Sequence, residues 1–162
     1  MSIEQTTRGD DRIVVGIDGS EQSQLALRWA VYLARVTDST IEAVTAWQPM
    51  TIGAPTGGFG YVTTPIDWDP AIDMEKVLVD TLDLVFGAKR PADLQVRVQE
   101  GHPTKVLLDA ARGARMLVLG SRGHGGFTGL LLGSVSSACA EHATCPVVVV
   151  HGDNPPPDLG EQ

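Results

Sequence analysis

The sequence is poor in cysteine, and it lacks the long apolar runs of a membrane-spanning protein. Its two cysteines, Cys139 and Cys145, form neither a CxxC pair nor a spacing with histidine that is typical of a zinc site, so neither a disulfide framework nor a structural metal is expected. No stretch approaches the ~18 consecutive apolar residues that cross a bilayer. Residues 1–6 contain no basic segment followed by an apolar one. These absences predict a cytoplasmic protein without a membrane partner.

Basic residues are also scarce, since 12 Lys and Arg face 20 Asp and Glu and give a formal net charge of −8. A net negative charge repels nucleic-acid backbones and anionic lipid surfaces, so neither is expected as a partner. Much of the acidity lies at the two ends of the chain. We therefore predict a flexible acidic N-terminal tail at 1–11, one globular domain at 12–150 and a proline-rich acidic C-terminal tail at 151–162.

Apolar runs that suit buried strands alternate along the domain with amphipathic segments that suit helices. Ser20 and Asp69-Pro70 are typical helix starts, while Gly87 and Gly113 are typical helix ends. The order β-α-β-loop-α-β-α-β-loop-α-β predicts an α/β fold with a parallel sheet covered by helices on both faces. Ligands of such sheets bind beyond the carboxyl ends of the strands, here after the first, second and fourth. The predicted strands are 13–17, 40–47, 94–98, 116–119 and 147–150.

The connection at 48–69 is the longest segment without a clear hydrophobic period, and it is rich in proline and glycine. Structureless loops longer than ~12 to 15 residues are uncommon and often serve as functional lids. A surface insertion without a function explains the composition equally well, so both interpretations stay open.

A glycine-rich stretch follows the fourth strand, where six of the 18 glycines fall between Gly120 and Gly133. Glycine lets the backbone approach a ligand closely, and the free N–H groups at the start of the next helix favour a phosphate. Arg122 adds a fixed positive charge, and the hydroxyls of Ser134 and Ser136 are candidate donors to phosphate oxygens. The stretch predicts a binding site for the phosphates of a nucleotide.

Other known site types fit the sequence poorly. A Walker A loop needs Gly-Lys-Ser/Thr before its helix, but here Leu132-Gly133-Ser134 contains no lysine, and the first strand is not followed by a dinucleotide-binding glycine fingerprint. The four histidines share no metal-ligand spacing, although His124 lies in the glycine stretch and is a candidate phosphate contact. No nucleophile elbow or pair of catalytic carboxylates is evident. Asp18 either contacts the ligand or stabilises the turn before the first helix, and the two uses are compatible.

The motif Gly120-x2-Gly123-x9-Gly133-Ser134, together with Val14–Ser20 at the first strand and Cys145–Val150 at the last, resembles the universal stress protein family over 12–150. The resemblance implies an open five-stranded Rossmann-like sheet of strand order 3-2-1-4-5. It also implies a homodimer formed through 147–150. Such pairing would protect a short apolar edge strand.

Within this family, the ATP-binding branch places the acid after the first strand, here Asp18, at the nucleoside. In the same branch, a backbone group near the end of the second strand, here about Ala46, faces adenine. The glycine motif surrounds the ribose and the phosphates. Taking the resemblance together with the glycine-rich stretch, the candidate nucleotide-binding residues are Gly16, Asp18, Ala46, Gly120, Ser121, Arg122, Gly123, His124, Gly125, Gly126, Gly133, Ser134, Val135 and Ser136.

The function implied by the resemblance is that of an ATP-binding regulator or sensor of a stress response. The ligand is ATP, with or without Mg²⁺, and AMP and cyclic AMP are alternatives. Two other functions stay open: a weak ATPase or autophosphorylating enzyme using Ser134, Ser136 or Ser137 in the same pocket, and a chaperone-like scaffold.

Overall fold

The computed structural model describes residues 10–49, 69–124 and 132–158, and every structural statement below refers to these ranges. Its five strands form one parallel sheet in the order β3-β2-β1-β4-β5, which confirms the predicted topology. The elements are β1 (Asp10–Gly16), α1 (Glu21–Thr37), β2 (Thr40–Trp47), α2 (Pro70–Phe86), β3 (Gln95–Glu100), α3 (Pro103–Ala110), β4 (Ala114–Gly120), α4 (Ser134–His142) and β5 (Val147–Val150).

The sheet is covered on both faces, as the alternation of strands and helices predicts. Because side chains alternate along each strand, Val15 faces α1 and α2 while its neighbour Val14 faces α3 and α4. On the first face, Leu27 and Leu78 are fully buried. On the second face, Leu117 and Cys139 are fully buried. Cys139 therefore packs in the core.

The helix starts agree with the sequence signals. Ser20 precedes α1, and its side chain accepts a hydrogen bond from the Ser23 N–H at 3.2 Å. Asp69 caps α2 in the same way, with Pro70 at the first helical position. At its other end, α1 stops at Asp38, which adopts the left-handed conformation (φ 52°, ψ 54°). Asp38 has the positive φ that glycine usually supplies at this position.

Three of the five strands differ in their bounds from the sequence prediction. β1 covers Asp10–Gly16 rather than 13–17, and β4 covers Ala114–Gly120 rather than 116–119. β1 begins at Asp10, so the last two residues assigned to the N-terminal tail belong to the sheet. β3 covers Gln95–Glu100 rather than 94–98, because its backbone pairs with β2 as far as Trp47. The rest of the N-terminal tail, residues 50–68 of the long connection and residues 159–162 lie outside the described ranges.

The two edge strands of the sheet differ in character. β5 consists of four valines, of which all but Val150 are half-buried. β3 carries alternating polar residues. One of them, Arg97, forms an ion pair at 2.7 Å with Glu42, a β2 residue that is only 2% exposed. Glu42 also accepts a hydrogen bond from Arg12 of β1, so one buried carboxylate links three neighbouring strands.

Residues 151–158 leave β5 and run along α1. The Gln22 side chain donates from Nε2 to the Gly152 carbonyl at 2.9 Å, and the Trp29 indole donates from Nε1 to the Asn154 carbonyl at 3.1 Å. This segment has neither helix nor strand and is mostly exposed, as its prolines predict, but it is attached to α1 at two points. Within the described part of the chain, no helix is long and apolar enough to span a bilayer.

Candidate functional site

A cavity of about 520 Å³ opens at the carboxyl ends of β1, β2 and β4, at the edge of the sheet that the fold pattern predicts. The first residues of α3 and α4 close its sides. It is lined by Gly16, Ile17, Asp18, Ser23, Val44, Ala46, Pro103, Leu107, Leu119, Gly120, Arg122, Gly123, His124, Leu132, Gly133, Ser134, Val135 and Ser136.

Most of the residues that the sequence singles out meet at this cavity. Ser121 does not line it and is buried, with 4% of the residue exposed. Gly125 and Gly126 lie outside the described ranges. The residues that meet there are Gly16, Asp18, Ala46, Gly120, Arg122, Gly123, His124, Gly133, Ser134, Val135 and Ser136.

Sequence reasoning missed the apolar wall of the cavity. Val44 lies two residues before Ala46 and therefore shares its face of β2, so strand alternation contains a signal for it. Leu107 is in α3 and Leu119 is in β4, and both are buried. Their contribution depends on how α3 packs against the sheet. An apolar wall of this kind suits the ring of a nucleobase.

Of the two carboxylate oxygens of Asp18, only Oδ1 is hydrogen-bonded to the described residues, which leaves Oδ2 available. Its Oδ1 accepts hydrogen bonds from the Ser20 N–H at 3.0 Å and the Ser20 hydroxyl at 2.5 Å, which fixes the turn before α1. Its Oδ2 lies beside Gly123, where a Cβ atom would stand only 2.3 Å away. Asp18 thus stabilises the turn with one oxygen and presents the other towards the glycine stretch.

The first turn of α4 supplies backbone donors to the cavity. Gly133 caps this helix without a side-chain hydrogen bond, and the Ser137 N–H makes the first helical bond, to the Gly133 carbonyl at 2.9 Å. Helix geometry leaves the N–H groups of Ser134, Val135 and Ser136 without intrahelical acceptors. Together with the helix dipole, these three groups favour an anion.

The hydroxyl of Ser136, a candidate phosphate donor from the sequence, makes a different hydrogen bond in the structure. It donates to the Gly120 carbonyl at 2.6 Å and is buried, so its proton is already engaged with the backbone. Ser134 is exposed and lines the cavity. Of the two hydroxyls considered as phosphate donors, that of Ser134 is therefore the better placed.

The charges that line the cavity are few. Arg122 supplies a positive charge and Asp18 a carboxylate, and the imidazole of His124 lies beside them in the lining. In the ranges that the structure covers, no group of three or more histidine, cysteine or acidic residues is arranged to hold a metal ion. A bound Mg²⁺ would therefore take most of its oxygen ligands from phosphates and water.

The glycines of the site meet different spatial demands. A Cβ at Gly120 would lie 2.7–2.8 Å from side-chain and backbone atoms of Gln22, so this glycine lets α1 pack directly on the end of β4. A Cβ at Gly16 would lie 2.7 Å from Leu119. At Gly133 the nearest atoms would be 3.5 Å away, an ordinary contact.

Comparison with known proteins gives a consistent result. The model of the universal stress protein family matches residues 11–151. A universal stress protein of Mycolicibacterium smegmatis is 34% identical over 148 residues, which cover 88% of this chain and 48% of the relative. A universal stress protein of Mycobacterium tuberculosis is 33% identical over 162 residues, with coverages of 93% and 50%. The chain thus spans about half the length of the curated relatives it matches.

Solved structures have the same fold. A universal stress protein crystallised in complex with cAMP is 27% identical, has a TM-score of 0.61 and is matched over 86% of this chain and 95% of that one. A universal stress protein from Archaeoglobus fulgidus in complex with dAMP is 21% identical, with a TM-score of 0.60 and coverages of 86% and 97%. At the latter level of identity the likeness concerns the fold.

Proposed function

Because this chain belongs to the universal stress protein family, we propose that it binds ATP, or another adenine nucleotide, in the cavity at the carboxyl edge of the sheet. One observation carries the proposal: a single cavity is bordered by the free N–H groups of α4, by the available oxygen of Asp18 and by an apolar wall. These are the three surfaces that phosphate, ribose and base require.

The proposed orientation of the nucleotide follows from these surfaces. The adenine lies against the wall formed by Val44 and Leu107, close to the backbone of Ala46. A ribose hydroxyl donates to Oδ2 of Asp18, and the phosphates accept hydrogen bonds from the first turn of α4. Arg122 supplies the compensating positive charge. The cAMP complex of a 27% identical protein supports an adenine nucleotide as the ligand.

The proposed role is binding rather than turnover. The Ser136 proton is engaged with the Gly120 carbonyl, and Asp18 is the only carboxylate that lines the described part of the cavity. Catalysis of phosphoryl transfer relies on positioned metal ions or cationic groups, for which this lining offers little. We therefore propose that nucleotide occupancy changes the population of conformations and so regulates a response to stress.

The proposed assembly is a cytoplasmic homodimer formed through Val147–Val150. The half-buried valines of this edge strand support pairing with a second copy. Both cysteines are free, which suits a reducing compartment. Light scattering that gives the mass of a monomer at micromolar concentration would contradict the dimer.

The binding proposal is tested with the purified chain. Denaturation and identification of any released nucleotide would reveal a ligand carried through purification. Calorimetric titration of ATP, AMP and cyclic AMP into nucleotide-free protein then ranks the ligands. We expect submillimolar binding of at least one of them. If none binds below millimolar concentration, the proposal is wrong.

A further inference from the structure

Ser121 occupies a junction behind the cavity wall. Its N–H donates to the Val150 carbonyl at 2.8 Å, and its carbonyl accepts from the Gly133 N–H at 2.7 Å. Its hydroxyl lies 3.4 Å from Oε1 of Gln22, the limit of a hydrogen bond. Ser121 thus connects the cap of α4 to the end of β5 and to the first turn of α1.

Gln22 continues this connection to the surface of the molecule. Its backbone and Cβ pack directly on Gly120, with no side chain between them. Its amide Nε2 donates to the carbonyl of Gly152. Two turns further along α1, Trp29 holds Asn154 through its indole N–H. An unbroken series of contacts therefore runs from Gly133 to the C-terminal segment 151–158.

We propose that Gln22 is a positioning residue that couples nucleotide occupancy of the cavity to the docking of the C-terminal segment on α1. The inference rests on the proposed function. A phosphate held by the first turn of α4 fixes Gly133, and with it Ser121 and the end of β4. Close packing of Gly120 on Gln22 transmits this order to α1, because packed interiors do not deform freely. Coupling between two binding events is reciprocal, so a docked segment also raises the affinity for nucleotide.

The indole N–H of Trp29 is a direct probe of docking. The chain contains three tryptophans, and the signal of Trp29 in a ¹⁵N-labelled sample is assigned from its loss in Trp29→Phe. We expect saturating ATP or AMP to slow hydrogen exchange of this N–H severalfold. If either nucleotide binds and the exchange rate stays unchanged, the coupling is wrong and the proposed function stands. If neither binds, the coupling and the proposed function fall together.

Two variants test the route. Gln22→Leu keeps the volume of the side chain but removes both amide hydrogen bonds, and Trp29→Phe removes the second attachment far from the cavity. Each is expected to weaken nucleotide binding about fivefold, the low end of typical coupling energies. The control is Gln24→Leu on the same helix, expected to stay within about twofold, since the structure records no hydrogen bond of the Gln24 side chain to the described residues. Unchanged affinity in both test variants would overturn the coupling.

Discussion

Replacing Gly123 with alanine would place a methyl carbon 2.3 Å from Oδ2 of Asp18. An ordinary van der Waals contact needs at least about 1 Å more, so the carboxylate has to move. Its other oxygen is tied to Ser20, and the movement withdraws the oxygen proposed to bind the ribose. A hydrogen bond to a charged group contributes about 2 kcal/mol, which corresponds to roughly 30-fold weaker binding of ATP.

Gly133→Ala is the matched control, since it adds the same methyl group to the same cavity wall. Its Cβ would meet atoms of Arg122 and Ser121 at 3.5 Å, and φ of −67° suits alanine. We expect calorimetry at fixed salt to give an affinity within about twofold of the unsubstituted chain. The unfolding free energy of Gly133→Ala should change by less than about 1 kcal/mol, because this position has a negative φ and an ordinary contact distance.

A double-mutant cycle with Asp18→Ala isolates the cause. If Gly123→Ala acts by displacing the carboxylate, it costs little further affinity in a chain that lacks the carboxylate. A full additional 30-fold loss in the Asp18→Ala background would refute the steric argument. So would a Gly123→Ala variant that binds ATP as tightly as the unsubstituted chain.

Three further predictions concern stability, measured by urea unfolding. Glu42→Ala removes the carboxylate that joins three strands and should lower the unfolding free energy by about 3 kcal/mol. The control Glu75→Ala, at an exposed position, should lower it by less than about 0.5 kcal/mol. Equal losses in the two variants would contradict the importance of burial. Asp38→Gly should add about 0.5 to 1 kcal/mol by relieving a left-handed backbone, and a loss would argue for a role of the carboxylate. Burial raises the pKa of Cys139 to about 11 from 9.0, so between these values the unfolded chain loses a proton that the folded chain keeps, and stability falls as pH rises. The stability difference between the unsubstituted chain and Cys139→Ala should therefore shrink by about 1 kcal/mol from pH 8 to pH 10; a constant difference would contradict this.

The strand order and the place of the cavity are predictable from the sequence because their signals are local or belong to a family motif. Ser20 and Asp69 show how single caps locate helices. Ser121 shows that a residue can lie between two cavity-lining residues in the sequence without lining the cavity itself. Its neighbours Gly120 and Arg122 line the cavity, but Ser121 is buried, and its backbone is hydrogen-bonded to Val150 and Gly133. Its position within the motif therefore suggested a ligand contact where the structure has a junction.

Contacts between distant segments were not predictable. Glu42 in a buried strand has no local explanation, because its partners belong to β1 and β3 and depend on the register of the sheet. Leu107 joins the cavity wall only through the packing of α3. The proline-rich composition after β5 indicates an irregular segment, but its attachment to Trp29 depends on the path that the chain takes after the sheet.

The unlike edges of the sheet set a limit on the growth of any assembly. If two copies join through the valines of β5, the combined sheet ends in a β3 strand on both sides. Those strands present glutamine, arginine and glutamate, which disfavour the addition of a third chain. Self-association through the sheet would then stop at a closed pair instead of extending into filaments.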